Sequence, residues 1–391
     1  MIDKISVWDC TLCGSCRNAC PVDAIQFSKA YLDFHYPEID ADRCAHCGQC
    51  EKACPLLESK GKPEAGYPIA FAARSTDDSI RLHSSSGGVF YALASQMLQD
   101  GGFVCGAVFD ERFHVRHIVS DKQENLFRMM GSKYAQSDMG HCYREIKEKL
   151  RAGKKVLFSG CPCQVAGLRT YLGKNDTNLF LVELICHGIP SDQMLHAYIS
   201  MREKKYGARL KRLEFRNKAK GWHNSSVRME FENQRIYSES IAADAYMNGF
   251  LGNVTLKSSC YDCRFRSFAA GSDIILGDFW GAEAELPEDD NKGISAVIVN
   301  TGTGMDILNH CNLTLISTNV ETIIKYNKNL IQSAEPSPRR GLFYAYAENA
   351  GIEEAIQKHL EESLSQKAKR QGRYMLRSIW YTVRGKGKPL Y

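Results

Sequence analysis

Cys10-Thr11-Leu12-Cys13-Gly14-Ser15-Cys16-Arg17-Asn18-Ala19-Cys20-Pro21 is followed by Cys44-Ala45-His46-Cys47-Gly48-Gln49-Cys50-Glu51-Lys52-Ala53-Cys54-Pro55. The two stretches use one pattern, Cys-x2-Cys-x2-Cys-x3-Cys-Pro, twice. Three thiolates at such spacing can wrap one face of an inorganic cubane, with the intervening amides aimed at its sulfurs. The proline turns the chain away after the fourth cysteine, which reaches across to the other cluster. Gly14 and Gly48 permit the tight wrapping.

This is the spacing of bacterial two-cluster ferredoxins. The expected ligation is crossed: Cys10, Cys13, Cys16 and Cys54 for one [4Fe-4S] cluster; Cys44, Cys47, Cys50 and Cys20 for the other. Zinc is the competing reading, but zinc sites use isolated cysteine or histidine pairs rather than two runs of this form. Between the halves, Ile25 to Ile39 carries Phe27, Tyr31, Phe34 and Tyr36 and reads as strands with a connecting loop.

The chain has 391 residues, 44% hydrophobic and 24% charged, which excludes a disordered or collagenous chain and suits two or three domains. Met1-Ile2-Asp3-Lys4 offers no apolar signal segment, and no apolar run is long enough to span a bilayer. Half of the 16 cysteines lie within the first 54 residues. With no export signal, this points to a reducing, cytoplasmic setting and to cysteines used as metal ligands. Eight of the 50 basic residues and none of the 45 acidic ones fall between Lys367 and Lys388. The rest is near neutral, which argues against nucleic acid as a partner.

The segment 61–68, rich in glycine and proline, reads as a linker between a two-cluster domain at 1–60 and a larger domain at 69–330. A helical extension with the basic tail is expected over 331–391. In the larger domain, short apolar strands (Ile69–Ala73, Phe103–Phe109, Lys155–Phe158, Leu179–Ile185, Ile274–Leu276, Ala296–Asn300) alternate with helical patterns. Arg212–Arg216, Val227–Glu232 and Arg235–Ser238 form a more polar antiparallel patch. The expected fold is thus an α+β ferredoxin-like N-terminal module followed by a larger α/β domain with a mixed sheet.

Ser84-Ser85-Ser86-Gly87-Gly88 precedes a helix and suits a phosphate, although serine is also a common helix cap. Gly131-Ser132-Lys133-Tyr134 offers an amine and a hydroxyl near a turn; a plain surface loop is the competing reading. Cys161-Pro162-Cys163 and Cys186-His187-Gly188 each follow a buried strand, so strand ends can bring them into one crevice, with Cys260 and Cys263 closing a four-thiolate site. Buried structural cysteines and a lone redox or zinc pair are the alternatives. Cys105, Cys142 and Cys311 read as structural.

In order along the chain, Ser85-Ser86-Gly87-Gly88, Gly131-Ser132-Lys133-Tyr134, Cys161-Pro162-Cys163-Gln164-Val165-Ala166-Gly167-Leu168, Cys186-His187-Gly188-Ile189-Pro190-Ser191, Ser259-Cys260-Tyr261-Asp262-Cys263, Ser272 to Gly281 and Asp290 to Ser295 resemble the coenzyme F420 hydrogenase/dehydrogenase β-subunit family. The resemblance spans roughly Tyr67 to Thr301. It implies FAD in the large domain, with Ser86, Gly87, Gly88 and Lys133 contacting it, and a third [4Fe-4S] cluster on Cys163, Cys186, Cys260 and Cys263. The family usually has threonine where Cys161 stands, which leaves open whether Cys161 or Cys163 is the ligand; Cys163 aligns with the family cysteine.

The implied activity is an iron–sulfur flavoprotein oxidoreductase. It would move electrons between clusters and FAD to reduce or oxidise an organic or deazaflavin substrate, with ferredoxin or a reduced deazaflavin as redox partner. The alternative is an electron-transfer subunit feeding a separate catalytic chain; a homo-oligomer is also compatible. His187 is the candidate proton donor, against a role as a hydrogen-bonded neighbour of the cluster. Arg373 to Tyr381 mixes cations and aromatics, which suits either peripheral contact with the inner membrane face or a terminal helix packed on the body.

Overall fold

A computed structural model describes residues 2–57 and 68–362. Apart from Pro68 the expected linker lies outside these residues, as does the basic tail. The first strands, β1 (Ile25–Tyr31) and β2 (Phe34–Ile39), form the antiparallel hairpin anticipated between the cysteine repeats. Its inner side packs Leu12, Phe34 and Tyr36 together.

The remaining strands are β3 (Ile69–Ser75), β4 (Phe103–Phe109), β5 (Val115–Ser120), β6 (Val156–Gly160), β7 (Leu179–Leu184), β8 (Leu210–Asn217), β9 (Ser226–Phe231), β10 (Ile236–Ser240), β11 (Ile274–Asp278), β12 (Ser295–Val299) and β13 (Leu313–Thr318). Eight of them form one sheet in the order β13-β3-β12-β11-β7-β6-β4-β5. Strands β4, β6, β7 and β11 run parallel, and the strands at both ends join antiparallel. The sheet is mixed, as the residue pattern suggested. β6 is buried along its full length because helices cover both faces. One face packs Leu93 and Met97 of the helix Val89–Gln99 against Val104, Leu157 and Val182. The other packs Tyr143, Ile146, Val165 and Leu168 against Phe158 and Leu181.

The described residues divide into two compact units, one within Met1–His196 and Leu256–Glu335, the other within Ala197–Thr255 and Pro336–Tyr391. The 69–330 segment therefore contributes to both. The second unit holds the antiparallel sheet β10-β9-β8. At its heart the fully buried Asp244 carboxylate caps the helix Ala245–Leu251, accepting from Met247 N at 2.9 Å and from the hydroxyls of Tyr198 and Tyr237. Burial raises the pKa of Asp244, and these donors offset part of that cost. No described helix is long and apolar enough to cross a membrane.

Candidate functional site

The two cysteine repeats fold alike. Leu12 and Gly14 in the first, and His46 and Gly48 in the second, all take positive φ (58°, 80°, 52° and 69°). Each glycine then opens a short helix, Ser15–Ala19 and Gln49–Lys52. Left-handed residues alternating with ordinary ones curl each loop tightly, the backbone pattern that forms anion-binding nests.

The tertiary grouping of the eight thiols is crossed. Cys10, Cys13, Cys16 and Cys54 are electrostatic neighbours of one another. Cys20, Cys44, Cys47 and Cys50 line a single cavity with Val22, Ala24, Ile25 and Ile39. Cys47 is exposed, whereas Cys16, Cys20 and Cys54 are buried. Burial and crowding among like thiols push Cys10 up to about 12 and Cys54 to about 11. Four thiols gathered this closely suit a polynuclear iron centre, whose positive charge favours the thiolate forms that ligate it.

The parallel strands β6 and β7 bring the next thiols together. Gly160 is level with Glu183, so Cys161 and Cys186 leave the same end of neighbouring strands. Cys161 starts the helix Pro162–Leu172, and its amide donates to Gln164 Oε1 at 2.9 Å. Cys161 and Cys186 share a side-chain hydrogen bond. Cys163 neighbours Cys186 and Cys263, and Cys260 neighbours Cys186 and Cys263. Five thiols thus converge where the sequence left a choice between Cys161 and Cys163. Cys105 and Cys142 instead sit in the core, with Cys142 Sγ 3.1 Å from the His117 carbonyl oxygen.

This third group abuts the first. Cys163 also neighbours Cys13. On the helix Pro162–Leu172, Gly167 faces the first repeat so closely that a Cβ there would lie 2.6 Å from Ser15 Oγ and 3.1 Å from Cys13 Sγ. A side chain at 167 would separate the helix from the loop. Arg144 adds a polar clasp, donating to the carbonyls of Asn18 (2.7 Å), Arg17 (3.0 Å) and Cys20 and pairing with Asp23 at 2.8 Å.

Two cations missed by sequence reasoning lie among the thiols. Lys257 is 1% exposed. Its Nζ donates to the Thr11 carbonyl and, at 2.8 Å, to Gln136 Oε1. Its charge acts on Cys10 of the first group and on Cys163, Cys186, Cys260 and Cys263 of the third. Arg266 donates to the carbonyls of Cys186 (2.7 Å), His187 (3.1 Å) and Asn329. The Cys161 hydrogen bond, followed by the Arg266 charge, brings Cys186 down to about 7 despite burial. The only local hint in the sequence is a lysine after the apolar Val254-Thr255-Leu256 and three residues before Cys260.

His187 stands next to Cys186, and its Nδ1 lies 3.0 Å from Asn329 Nδ2. With the amide as donor, the ring proton is assigned to Nε2. Glu183 is buried with its carboxylate 2.9 Å from Ser272 Oγ, and burial raises it to about 7.

The two polar loops read as phosphate-binding also meet, with Ser85 Oγ 2.8 Å from Ser132 Oγ. Their donors are engaged within the protein. Ser86 Oγ donates to the Ile294 carbonyl at 2.6 Å and Gly87 N to Ser295 Oγ at 2.9 Å. A Cβ at Gly87 would collide with the Ala73 carbonyl, so this glycine serves close packing. Gly88 caps the following helix in the left-handed conformation at φ 87°. Lys133 Nζ donates to three carbonyls, of Met129 (3.2 Å), Met130 (2.9 Å) and Gly131 (3.1 Å). In this arrangement the donors of Ser86, Gly87 and Lys133 are all held by protein acceptors.

Residues 9–56 match the family model described as a 4Fe-4S dicluster domain. Residues 70–142 match the N-terminal domain, and 153–320 the C-terminal domain, of the coenzyme F420 hydrogenase/dehydrogenase beta subunit. No curated protein matches the chain. Among solved structures, a chain of the F420-reducing [NiFe] hydrogenase complex from Methanosarcina barkeri, a xenon derivative, is similar at 19% identity and TM-score 0.44, covering 85% of this chain and 100% of that one. With both halves of the large region and the front module matched in order, the chain belongs to the coenzyme F420 hydrogenase/dehydrogenase beta-subunit family and carries a 4Fe-4S dicluster domain ahead of it.

Proposed function

We propose that this chain is an iron–sulfur oxidoreductase whose three thiol groups hold three [4Fe-4S] clusters in one continuous path. Cys20, Cys44, Cys47 and Cys50 hold the outer one, Cys10, Cys13, Cys16 and Cys54 the middle one, and Cys163, Cys186, Cys260 and Cys263 the inner one. The observation that carries this reading is the adjacency of Cys13 and Cys163, which puts the middle and inner thiol groups side by side. Bound clusters supply single-electron carriage. The chain's residues do the rest. Cys47 gives the outer group an edge toward solvent, where a ferredoxin-type donor can dock. Buried Cys16 and Cys54 exclude water from the middle group. Lys257 and Arg266 supply positive charge that stabilises added electrons, and His187 holds a ring proton beside Cys186.

The substrate end of the reading is an organic or deazaflavin molecule, reduced or oxidised with FAD as the two-electron partner. The flavin rests on the family resemblance. Because the nominated residues are engaged elsewhere, no chemical step is routed through it. The second reading is an electron-transfer subunit whose catalytic partner is another chain; the family's description as a beta subunit favours it.

Anaerobic purification with iron, sulfide and flavin quantified is the test. About twelve irons per chain are expected from three four-iron clusters. A content of about eight retires the inner cluster. A colourless protein without a paramagnetic signal after dithionite ends the proposal. Flavin content decides the two-electron partner separately, and a stoichiometric catalytic chain in a native pull-down supports the second reading.

A further inference from the structure

We propose that His114, Asp192 and His196 form a binding site for a divalent first-row transition ion, distinct from the cysteine centres. Their ligand atoms all lie within 4.8 Å of one another. His114 Nδ1 is 2.7 Å from Asp192 Oδ2, and His196 Nε2 is 3.7 Å from Asp192 Oδ1. The two imidazole rings stand side by side, with centroids 4.0 Å apart. Asp192 Oδ1 is shielded from solvent and accepts no hydrogen bond among the described residues. A shielded carboxylate oxygen without a donor is costly, and a cation between it and the His196 ring removes that cost.

The site is built on fixed elements. Asp192 and His196 are one turn apart on the helix Asp192–Tyr206, so they share a face. The start of that helix is pinned by Ser191, whose Oγ donates to Asp33 Oδ2 at 2.7 Å and accepts from Met194 N at 2.8 Å. His114 closes the turn between β4 and β5. The Asp110 carboxylate fixes this turn by accepting from the amides of Arg112 (2.9 Å) and His114 (3.0 Å). Both arms of the site are therefore positioned before any ion arrives.

Two neutral imidazoles and one carboxylate are a borderline donor set. It suits Zn2+, Fe2+ or Ni2+ rather than Mg2+ or Ca2+, which take oxygen ligands. Side-chain exposures of 46%, 36% and 30% leave the outward coordination positions to water. Bound there, the ion ties the β4–β5 turn to the first turn of the helix without touching the thiols.

The test uses the full, cluster-loaded protein under anaerobic conditions, titrated with Zn2+ alone and with iron counted before and after. The expected result is one Zn2+ equivalent bound with no loss of iron, and a nitrogen/oxygen shell at about 2.0–2.1 Å in zinc X-ray absorption. His114→Gln and His196→Gln, tested singly, should each weaken that binding at least about tenfold while iron content stays constant. Both are partly exposed positions, and thermal unfolding of each variant without Zn2+ checks that it folds. No Zn2+ uptake overturns the proposal, as does uptake unchanged in both variants or a sulfur shell near ~2.3 Å, which marks zinc in the cysteines.

Discussion

Lys257 Nζ sits 2.8 Å from Gln136 Oε1 and also donates to the Thr11 carbonyl, which places one buried cation between the Cys10 group and the Cys163 group. A positive charge at this point favours the reduced form of whatever both groups hold. Lys257→Met should lower the midpoint potentials of the two neighbouring clusters, on the order of tens of millivolts. Lys257→Arg should keep them closer to wild type. Redox titration followed by paramagnetic resonance reads the shift. Unchanged potentials in the methionine variant, with iron content intact, would show that Lys257 acts only in packing.

Cys163 and Cys161 can now be separated. Cys163→Ser should drop the iron content from about twelve to about eight, while Cys161→Ser should retain about twelve. Cys161 hydrogen-bonds Cys186, so its loss should alter the spectrum of the inner cluster more than its presence. The reverse result would make Cys161 the ligand.

At Gly167 even a methyl group would meet Ser15 Oγ at 2.6 Å. Gly167→Ala should destabilise the protein by about 1–3 kcal/mol, the range for overpacking. Gly167→Val should do so more severely and slow electron transfer between the middle and inner thiol groups. Thermal unfolding and pre-steady-state reduction measure the two effects.

Arg81 is 2% exposed and grips Asp290 with both terminal nitrogens, one at 2.8 Å, while also donating to the Gly293 carbonyl at 3.1 Å. This pair holds the 290–295 segment, whose Ile294 and Ser295 receive the Ser86–Gly87 loop. Asp290→Asn should cost about 3 kcal/mol, because it leaves a buried guanidinium partly unpaired. The Arg81 pairing holds Asp290 at about 2. Its folded value is thus below its unfolded one, so the stabilisation is present above about pH 4 and is lost as pH falls toward 2. Denaturant unfolding at neutral pH checks the mutational cost.

His117 is buried, with Nδ1 2.6 Å from Ser137 Oγ and Nε2 3.1 Å from the Ser159 carbonyl. Burial depresses it to about 4, so the native ring stays neutral where the unfolded one begins to protonate near 6.5. Its contribution to stability is present above pH 6.5 and is lost as pH falls toward 4. His117→Gln should flatten stability against pH over that window. Parallel slopes in the two proteins would disprove the assignment.

The repeat at 10–21 and 44–55 was legible because its ligands are local: three of every four thiols lie within seven residues, and the chain need only curl. The mixed sheet was legible too, since buried parallel strands read as unbroken apolar runs and end strands do not. The inner thiols were half legible. Strand ends converge by rule, which brought Cys186 to Cys161 and Cys163, but spacing could not say how many sulfurs would meet. The two loops around Ser86 and Lys133 had the right donors for a phosphate. Only the structure shows those donors taken, at Ser86 and Gly87 by Ile294 and Ser295 far along the chain and at Lys133 by the nearby 129–131 carbonyls, because hydrogen-bond satisfaction depends on the folded path of the backbone.

By itself the sequence determined the doubled cysteine pattern and the family the chain belongs to, since residue type and spacing are written in the chain. Tertiary structure alone decided that Gly167 lets the first group touch the third and that Lys257 lies between them. Those outcomes depend on packing between segments separated by more than a hundred residues, where contact distance and burial, rather than local spacing, fix the energy of a charge.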